Sequence, residues 1–332
     1  MTMRAWYLTG NGIDGLTLRQ VEQPQPGPGE IAIRVEAASL NFRDLVLASH
    51  GLANDRIPLS DGAGLVMSVG QGVTAVAPGD RVAACFFPHW MDGRLQRAMH
   101  AAELGGSVDG MLAEVVLMPA TGVVPVPRGW SAQWASTLPC AALTAWNALN
   151  EGQPLRPGQT VLLLGTGGVS VFGLQFARMM GARTIITSSS DAKLERMKAL
   201  GADLCINYQA RPDWERDVID ATDGEGADLI LEVGGGNTLE KSMRCVATGG
   251  QIAYIGMVAG DAAIDPRPLI GRAASLRGIY VGNRRMFREM VMAIDQNGLE
   301  PVIDRVFPFH QAPEAYRHLQ AKDHVGKVVI AD

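Results

Sequence analysis

Closely spaced cysteines are missing from this sequence. Its four, Cys85, Cys140, Cys205 and Cys245, stand far apart and form no Cys-x-x-Cys pair, which excludes a disulfide-dense scaffold. Runs of Lys or Arg are missing too, and the formal charge is −5. Neither nucleic acid nor an anionic membrane surface is therefore an expected partner. No uninterrupted apolar run is long enough to span a bilayer, and the opening MTMRAWYLTGNG lacks the basic region and apolar stretch of a secretory signal. These gaps predict a soluble, reduced, cytoplasmic protein. What is plentiful is apolar: 47% of 332 residues, ample for a sizeable core and, at this length, for two domains. The 39 glycines suit a fold with many tight turns and close backbone approaches.

Patterning divides the chain. Over the first third, short stretches at Ile31–Glu36, Gly64–Val69 and Arg81–Ala84 alternate with turn residues such as Pro24–Gly29 and Val76–Asp80. They predict a β-rich, barrel-like domain over residues 1–123. Helix formers dominate from Ser131 to Glu151, interrupted at Pro139. A strict alternation follows, with strands at Thr160–Leu164, Arg183–Thr187, Leu204–Asn207, Asp228–Val233, Gln251–Gly256 and Leu276–Val281. Between them come helices at Gly168–Met180, Asp191–Leu200, Asp213–Thr222 and Thr238–Val246, with Asp191 as the predicted N-cap of its helix. Thr160–Leu164 reads as a continuous apolar run, as a parallel strand covered on both faces requires. Residues 124–282 are thus expected to form an α/β domain, a doubly wound parallel sheet of Rossmann type. The tail, residues 283–332, carries helices near Arg284–Gln296 and Pro313–Lys322 and a strand near Lys327–Ile330.

The turn between the first parallel strand and its helix reads Leu164-Gly165-Thr166-Gly167-Gly168-Val169-Ser170. Gly165 permits the tight turn, and Gly167 lets the backbone approach a pyrophosphate. The helix N-terminus at Gly168 and Val169 then offers unpaired N–H groups and a favourable dipole. Ser170 replaces the third glycine of the usual pattern and is small enough for helix–strand packing. An NAD-selective fold carries a carboxylate at the end of its second strand to hold the ribose 2′-OH. Here that strand runs into Ser188-Ser189-Ser190, with Lys193 in the next helical turn and Tyr208 after the third strand. Hydroxyls and an ammonium suit a 2′-phosphate, so NADPH is the expected cofactor and NADH the alternative.

Other segments join this turn: Ala37–Asp44 (AASLNFRD), Asp61–Val66 (DGAGLV), Val76–Val82 (VAPGDRV), Leu138–Trp146 (LPCAALTAW) and Gly326–Val329 (GKVV). With them the chain resembles the medium-chain dehydrogenase/reductase superfamily over essentially its whole length. The resemblance implies a chaperonin-10-like catalytic domain made of both chain ends, with residues 283–332 returning to it. It places the cofactor domain between those ends and the active site in the interdomain cleft. It further implies nicotinamide contacts at Thr144, Gly256, Met257, Val281 and Asn283, and a homodimer joined through the edge strand Leu276–Val281.

The zinc-type alcohol dehydrogenases of that superfamily hold a catalytic zinc on Cys, His and Cys. On the matching positions this sequence has Asn41, Ser60 and Cys140. A catalytic zinc takes three ligands of Cys, His or carboxylate type. The structural-zinc lobe needs four cysteines, and Cys85–Pro119 holds one. No metal is therefore expected, and His89 and His100 read as ordinary loop histidines. Asn41 matches the asparagine typical of the zinc-independent quinone oxidoreductase and enoyl reductase branches. The tyrosine that several of them carry a few residues on is absent from Asp44–His50, and the family's proton-relay hydroxyl falls on Arg43.

Without a Lewis acid, an acceptor that spreads the developing charge is easier to reduce than an isolated carbonyl, and a hydrogen-bond donor suffices. Asn41 is the candidate donor, assisted by Arg43, Ser60 or Cys140, with solvent delivering the proton. The plainer alternatives are a loop anchor for Asn41, an ion pair of Arg43 with Asp44 or Asp61, and packing for Cys140. The irregular stretch Phe86–Gly110, with Trp90 and Met91, is a candidate part of the substrate entrance. The expected activity is a zinc-independent, NAD(P)H-dependent reduction of a small-molecule quinone or α,β-unsaturated carbonyl. The alternatives are an alcohol dehydrogenase or carbonyl reductase of the same superfamily, and a weakly catalytic dinucleotide-binding sensor.

Overall fold

A computed structural model describes residues 1–49, 55–256 and 263–332. They sort into two units, one of Met1–Leu143 with Val281–Asp332 and the other of Thr144–Tyr280.

The first unit opens with an antiparallel ribbon of β1 (Thr2–Leu8) and β2 (Leu16–Glu22). The long β3 (Glu30–Leu40) runs through Asn41 into α1 (Phe42–Ser49). Next come β4 (Asp61–Val69), β5 (Arg81–Ala84), α2 (Arg97–His100), β6 (Val115–Pro119), β7 (Val123–Pro125) and α3 (Ala132–Ser136). A π-helical turn, Leu138–Ala142, forms around the Pro139 that interrupts the helix-forming stretch, because proline has no N–H to continue an α-helical ladder. It leads into α4 (Leu143–Asn150).

The second unit alternates without exception: β8 (Thr160–Leu164), α5 (Gly168–Met179), β9 (Arg183–Ser188), α6 (Asp191–Ala199), β10 (Leu204–Asn207), α7 (Trp214–Ala221), β11 (Ala227–Glu232), α8 (Gly236–Cys245), β12 (Val246–Tyr254), α9 (Arg267–Arg272) and β13 (Ser275–Gly278). The chain then returns to the first unit with α10 (Arg284–Asn297), β14 (Ile303–Phe307), α11 (Ala312–Gln320) and β15 (Lys327–Ala331).

In the first unit, strand order β14-β15-β3-β4-β5-β7 makes β3 the organiser. Its first half pairs with β6, its last residues with β15, and nearly its whole length with β4. Irregularities near Ala32 and Val35 bend it, as bulges do. The register sets Ser39 opposite Asp61 and Leu40 opposite Val328. Three chain segments from opposite ends of the sequence therefore meet where β3 ends. Beneath them lies an apolar core that includes Trp6, Ile31, Ile33, Leu40, Leu59, Met111 and Tyr316.

The second unit is a six-stranded parallel sheet of order β10-β9-β8-β11-β12-β13. Every residue of its central β8 is buried, and Leu162, Ile185, Ile230 and Ile252 share one core. Each such side chain contributes roughly 1.5–3 kcal/mol by leaving water. An exposed helical ion pair such as Arg244–Glu240 contributes at most about 0.5 kcal/mol. Apolar layering, not surface charge, fixes this sheet. No helix of the described residues is long and apolar enough to cross a membrane.

Three details differ from expectation. Asp191 does not cap α6. Ser190 does, its Oγ accepting from the Lys193 backbone N–H, while the Asp191 carboxylate accepts from Asn207 Nδ2 at 2.6 Å. Residues 124–143, expected with the dinucleotide-binding unit, group with the first unit, because α3 lies across β3, β4 and β5. The last parallel strand stops at Gly278, and Val281 turns into the left-handed region with φ 55°.

Candidate active site

Asn41 is the hinge between β3 and α1. Its backbone N–H donates to Asp44 Oδ2 at 2.7 Å, and its carbonyl accepts from the Asp44 N–H at 3.0 Å. The Asp44 carboxylate reaching back to the Asn41 N–H is one half of a capping box, and it fixes where the Asn41 side chain starts. Asp44 is buried. Burial pushes its carboxyl up to about 6, against the lowering influence of Arg43 and of the Asn41 N–H.

The Asn41 side chain meets a lysine from the far end of the chain. Lys327 opens β15 and is only 2% exposed. Its ammonium donates to Asn41 Oδ1 at 2.6 Å, to Leu40 O at 2.7 Å and to Asp61 Oδ2 at 3.3 Å. An ammonium has three protons and no lone pair, so these acceptors use it fully. They also fix the amide, since only its oxygen can face Lys327. Asp61, fully buried, is the counter-charge. Ser60 Oγ donates to Asp61 Oδ1 at 2.9 Å. Ser39 Oγ lies 2.8 Å from Ser136 O and 3.4 Å from Asp61 Oδ2, and its single proton serves the shorter contact.

The other end of the amide is different. Asn41 Nδ2 is buried and, among the described residues, has no hydrogen-bond partner. Leaving such a donor unmet costs about 1–3 kcal/mol, so a locked, unpaired N–H₂ is a feature to be explained.

Of the remaining catalytic candidates, Arg43 is held by Glu103 at 3.0 Å and Leu104 O at 3.1 Å. It faces Asp44 at 3.8 Å and lies over the Phe86 ring at 4.7 Å. The ion pair with Asp44 was foreseeable; Glu103 was not. Cys140, in the π-helical turn, keeps a part-exposed edge. Burial of its sulfur, with the Asp61 charge nearby, holds the thiol far above its ordinary range, so a thiolate is disfavoured there. Among the described residues, no group of three His, Cys, Asp or Glu side chains is arranged to hold a metal. Trp90 is buried edge-on to Phe87 and donates to Gly93 O at 2.9 Å. Its ring is thus packed and its N–H satisfied within the first unit.

In the second unit the glycine turn has the geometry the sequence implies. Gly165 has φ 76°, and nothing lies within 4 Å of where a side chain at Gly165 or Gly167 would begin. Gly167 is the N-cap of α5 and supplies no side-chain cap, so the first N–H groups of that helix, from Gly168 and Val169 onward, are left for another acceptor. Thr166 is buried beside them. Ser170, in place of a third glycine, turns its hydroxyl inward to Leu164 O at 2.6 Å.

Pairing of β9 with β10 sets Ser188 opposite Asn207. It brings Ser188, Ser189, Lys193 and Tyr208 to the carboxyl ends of these strands, with Tyr208 N–H donating to Ser188 O at 3.0 Å. Ser188 is buried; Ser189 and Tyr208 are exposed. Thr144 is buried in the first turn of α4. At Gly256 a side chain would begin 2.3 Å from Val233 O, so the chain beyond β12 can pass the end of β11 only as glycine. Met257 lies outside the described residues. Asn283 caps α10, its Oδ1 accepting from Met286 N–H at 2.9 Å. Val281, β-branched in the left-handed region, stores strain of roughly 1–3 kcal/mol.

A parallel sheet of this order, with an open glycine turn at the start of its first helix, defines the dinucleotide-binding class of α/β proteins. Comparison with known proteins narrows it. Residues 168–296 match the zinc-binding dehydrogenase family, and residues 27–128 match the alcohol dehydrogenase GroES-like domain. A zinc-type alcohol dehydrogenase-like protein of Schizosaccharomyces pombe is 42% identical over 96% of this chain and 96% of its own. A solved structure from Sinorhizobium meliloti 1021, provisionally described as an alcohol dehydrogenase, superposes with a TM-score of 0.93 at 42% identity, covering 100% of this chain and 99% of its own. That of an NAD-dependent alcohol dehydrogenase superposes with a TM-score of 0.90 at 32% identity, covering 99% and 100%. The chain belongs to the medium-chain dehydrogenase/reductase superfamily, and it is an alcohol dehydrogenase-like, NAD(P)-dependent oxidoreductase.

Proposed function

We propose that this oxidoreductase works without zinc and reduces quinones or α,β-unsaturated carbonyls with NADPH, the first unit serving catalysis and the second holding the dinucleotide. The observation that carries this reading is the Asn41 amide, with its oxygen on Lys327 and its buried Nδ2 unpaired among the described residues.

The residues present fit a dinucleotide. The turn Gly165–Val169 offers open space and unpaired backbone donors, suited to a pyrophosphate. Ser188, Ser189, Tyr208 and Lys193 suit a ribose 2′-phosphate better than a 2′-OH, since they offer hydroxyls and an ammonium, and Asp191 beside them already accepts from Asn207 through one oxygen. Thr144, Gly256, Val281 and Asn283 are read as lying toward the nicotinamide.

The residues do not fit zinc. Asn41 Oδ1 already accepts from an ammonium and Ser60 donates to Asp61, which leaves Cys140 as the one side chain at these three positions of a type that zinc takes. A divalent cation there would also face the buried charge of Lys327. Zinc-type names among the relatives support a second reading, an alcohol dehydrogenase or carbonyl reductase with another ligand set.

A bound reduced nicotinamide supplies the hydride. This chain's task is to meet the negative charge that collects on the acceptor oxygen. Asn41 Nδ2 donates to that oxygen, and a water proton neutralises it. An isolated ketone concentrates the full charge on one atom, more than one amide N–H stabilises well; a conjugated acceptor spreads it. The edge strand β13, with Leu276 and Tyr280 exposed beside it, is read as the pairing edge of a homodimer.

The test is metal analysis of the purified protein, with NADPH and NADH oxidation followed against a quinone, an enone and a simple ketone. Metal-free protein that turns over the quinone or enone with NADPH supports the reading. Stoichiometric zinc with ketone turnover replaces it with the second.

A further inference from the structure

We propose that Lys327 is a positioning residue that acts through Asn41: its buried ammonium locks the amide oxygen, aims the free Nδ2 and strengthens it as a donor to the acceptor's oxygen. The inference rests on the reading of Asn41 given above.

Three observations carry it. The ammonium is 2.6 Å from Asn41 Oδ1, and its other protons go to Leu40 O and Asp61 Oδ2, so it has no donor left for a substrate. It cannot act by direct contact while this arrangement holds. Next, Lys327 and its counter-charge Asp61 are 2% and 0% exposed. A buried ion pair is poor value as a stabiliser, since apolar residues of similar size usually do as well. A role in function accounts for its presence better than one in stability. Finally, the amide is a conductor of polarity. A cation on its oxygen draws electron density from the nitrogen, and hydrogen bonds linked in series strengthen one another. The Nδ2 protons are thereby made more acidic without being lost, and the orientation is set before the substrate arrives.

This arrangement resembles a metal site in one respect. A fixed positive charge stands behind the group that touches the substrate, delivered here by β15 rather than by an ion. Asp61 keeps the charge in place, and Ser60 keeps Asp61 in place.

The experiment uses 4-nitrophenolate, a stable anion with its charge on a conjugated oxygen, titrated by absorbance into the NADP⁺-saturated protein. Asn41→Leu, the paired change Lys327→Gln with Asp61→Asn, and the triple variant are compared with the parent for phenolate affinity and for kcat and KM with an enone. The paired change removes both charges together, so neither is left buried alone. Should it fail to fold, Lys327→Met with Asp61→Leu supplies an apolar replacement.

The expected result is that the paired change weakens phenolate binding about tenfold or more and lowers kcat with KM little changed. The triple variant should be no worse than Asn41→Leu alone, and Lys327→Arg should restore part of the loss. If Asn41→Leu weakens phenolate binding while the paired change does not, the role of Lys327 is overturned and the reading of Asn41 stands. Equal, additive losses from the two changes also overturn it, because Lys327 would then act independently of Asn41. If Asn41→Leu changes neither quantity, the reading of Asn41 fails and the proposal falls with it.

Discussion

The glycine turn and the Asn41 cluster are two ways of preparing to bind negative charge. The turn is made of backbone. Its residues are consecutive, Gly165 and Gly167 leave open space, and the donors are helix N–H groups that need no particular side chain. The Asn41 cluster is made of side chains drawn from positions 41, 61 and 327, closely buried, with two full charges facing each other. A backbone site tolerates most substitutions and fails when its φ is forbidden. A side-chain site fails when any member is removed, because each loss strands a buried partner. The turn is therefore robust and generic, and the cluster is fragile and specific.

The sharpest way to break this contrast is Asn41→Leu. Removing one preorganised oxyanion donor costs about 10²–10³ in kcat, and that loss is expected for enone or quinone reduction. Cofactor affinity should stay within about twofold, since the turn does not depend on Asn41. Steady-state kinetics beside an NADPH fluorescence titration measures both. A kcat within threefold of the parent would remove Asn41 from the chemistry.

Next in size is the pH dependence built in by Asp44, beneath the same cluster. Its carboxyl is raised from 3.8 to about 6, mainly by burial. Below pH 3.8 it is neutral whether the chain is folded or not. Its contribution to stability is full there and is lost as pH rises through 6, where the folded protein must carry a buried charge. Asp44→Asn keeps an oxygen for the Asn41 N–H and removes the titration. Between pH 3.5 and pH 7 the parent should lose about 3 kcal/mol relative to this variant. Urea unfolding at a series of pH values checks it, and parallel profiles would show that the Asp44 carboxyl is not raised.

The same contrast explains what could be read from sequence. The second unit was legible almost throughout, because each strand and helix advertises itself locally and the turn is seven consecutive residues. Even the serine in place of the third glycine finds its partner, Leu164 O, within six residues. The cap of α6 slipped by one residue because Ser190 and Asp191 are both good caps and only the backbone decides between them. In the first unit the motifs give Asn41, Ser60 and Cys140 a role in the site, whereas Lys327, inside the GKVV segment, receives none. A lysine opening an otherwise apolar strand reads as a solvated end. Its burial follows from the register of β3 on β4 and of β15 on β3, the latter bringing together residues nearly 300 positions apart. Glu103, the partner of Arg43, was hidden for the same reason. The ribbon of β1 and β2 carries the alternation of a strand pair, but its partner surface lies at Leu112–Glu114 and Phe309.

A smaller effect tests the robust side. Gly165 has φ 76°, which a β-branched residue adopts only with strain of roughly 1–3 kcal/mol. Gly165→Val should therefore weaken NADPH binding about tenfold, in keeping with that strain, and lower the melting temperature. Gly167→Ala, with extended backbone and open space at the same turn, should do neither to the same degree. Equal effects from the two would mean that side-chain bulk near the phosphates, rather than backbone conformation, controls the turn.

The smallest expected effect concerns which dinucleotide is preferred. Lys193 sits one turn into α6, after the hydroxyls of Ser188, Ser189 and Ser190, and Tyr208 follows the neighbouring strand β10. A part-exposed ammonium facing a phosphate contributes about 1 kcal/mol, reduced by salt. Lys193→Ala should weaken NADPH binding about fivefold at low ionic strength, less at high, and leave NADH binding where it was. The difference between the two cofactors is the informative quantity, because a general disturbance of α6 would weaken both alike. Equal weakening would remove Lys193 from 2′-phosphate recognition and leave the hydroxyls and Tyr208 as the only groups proposed for it.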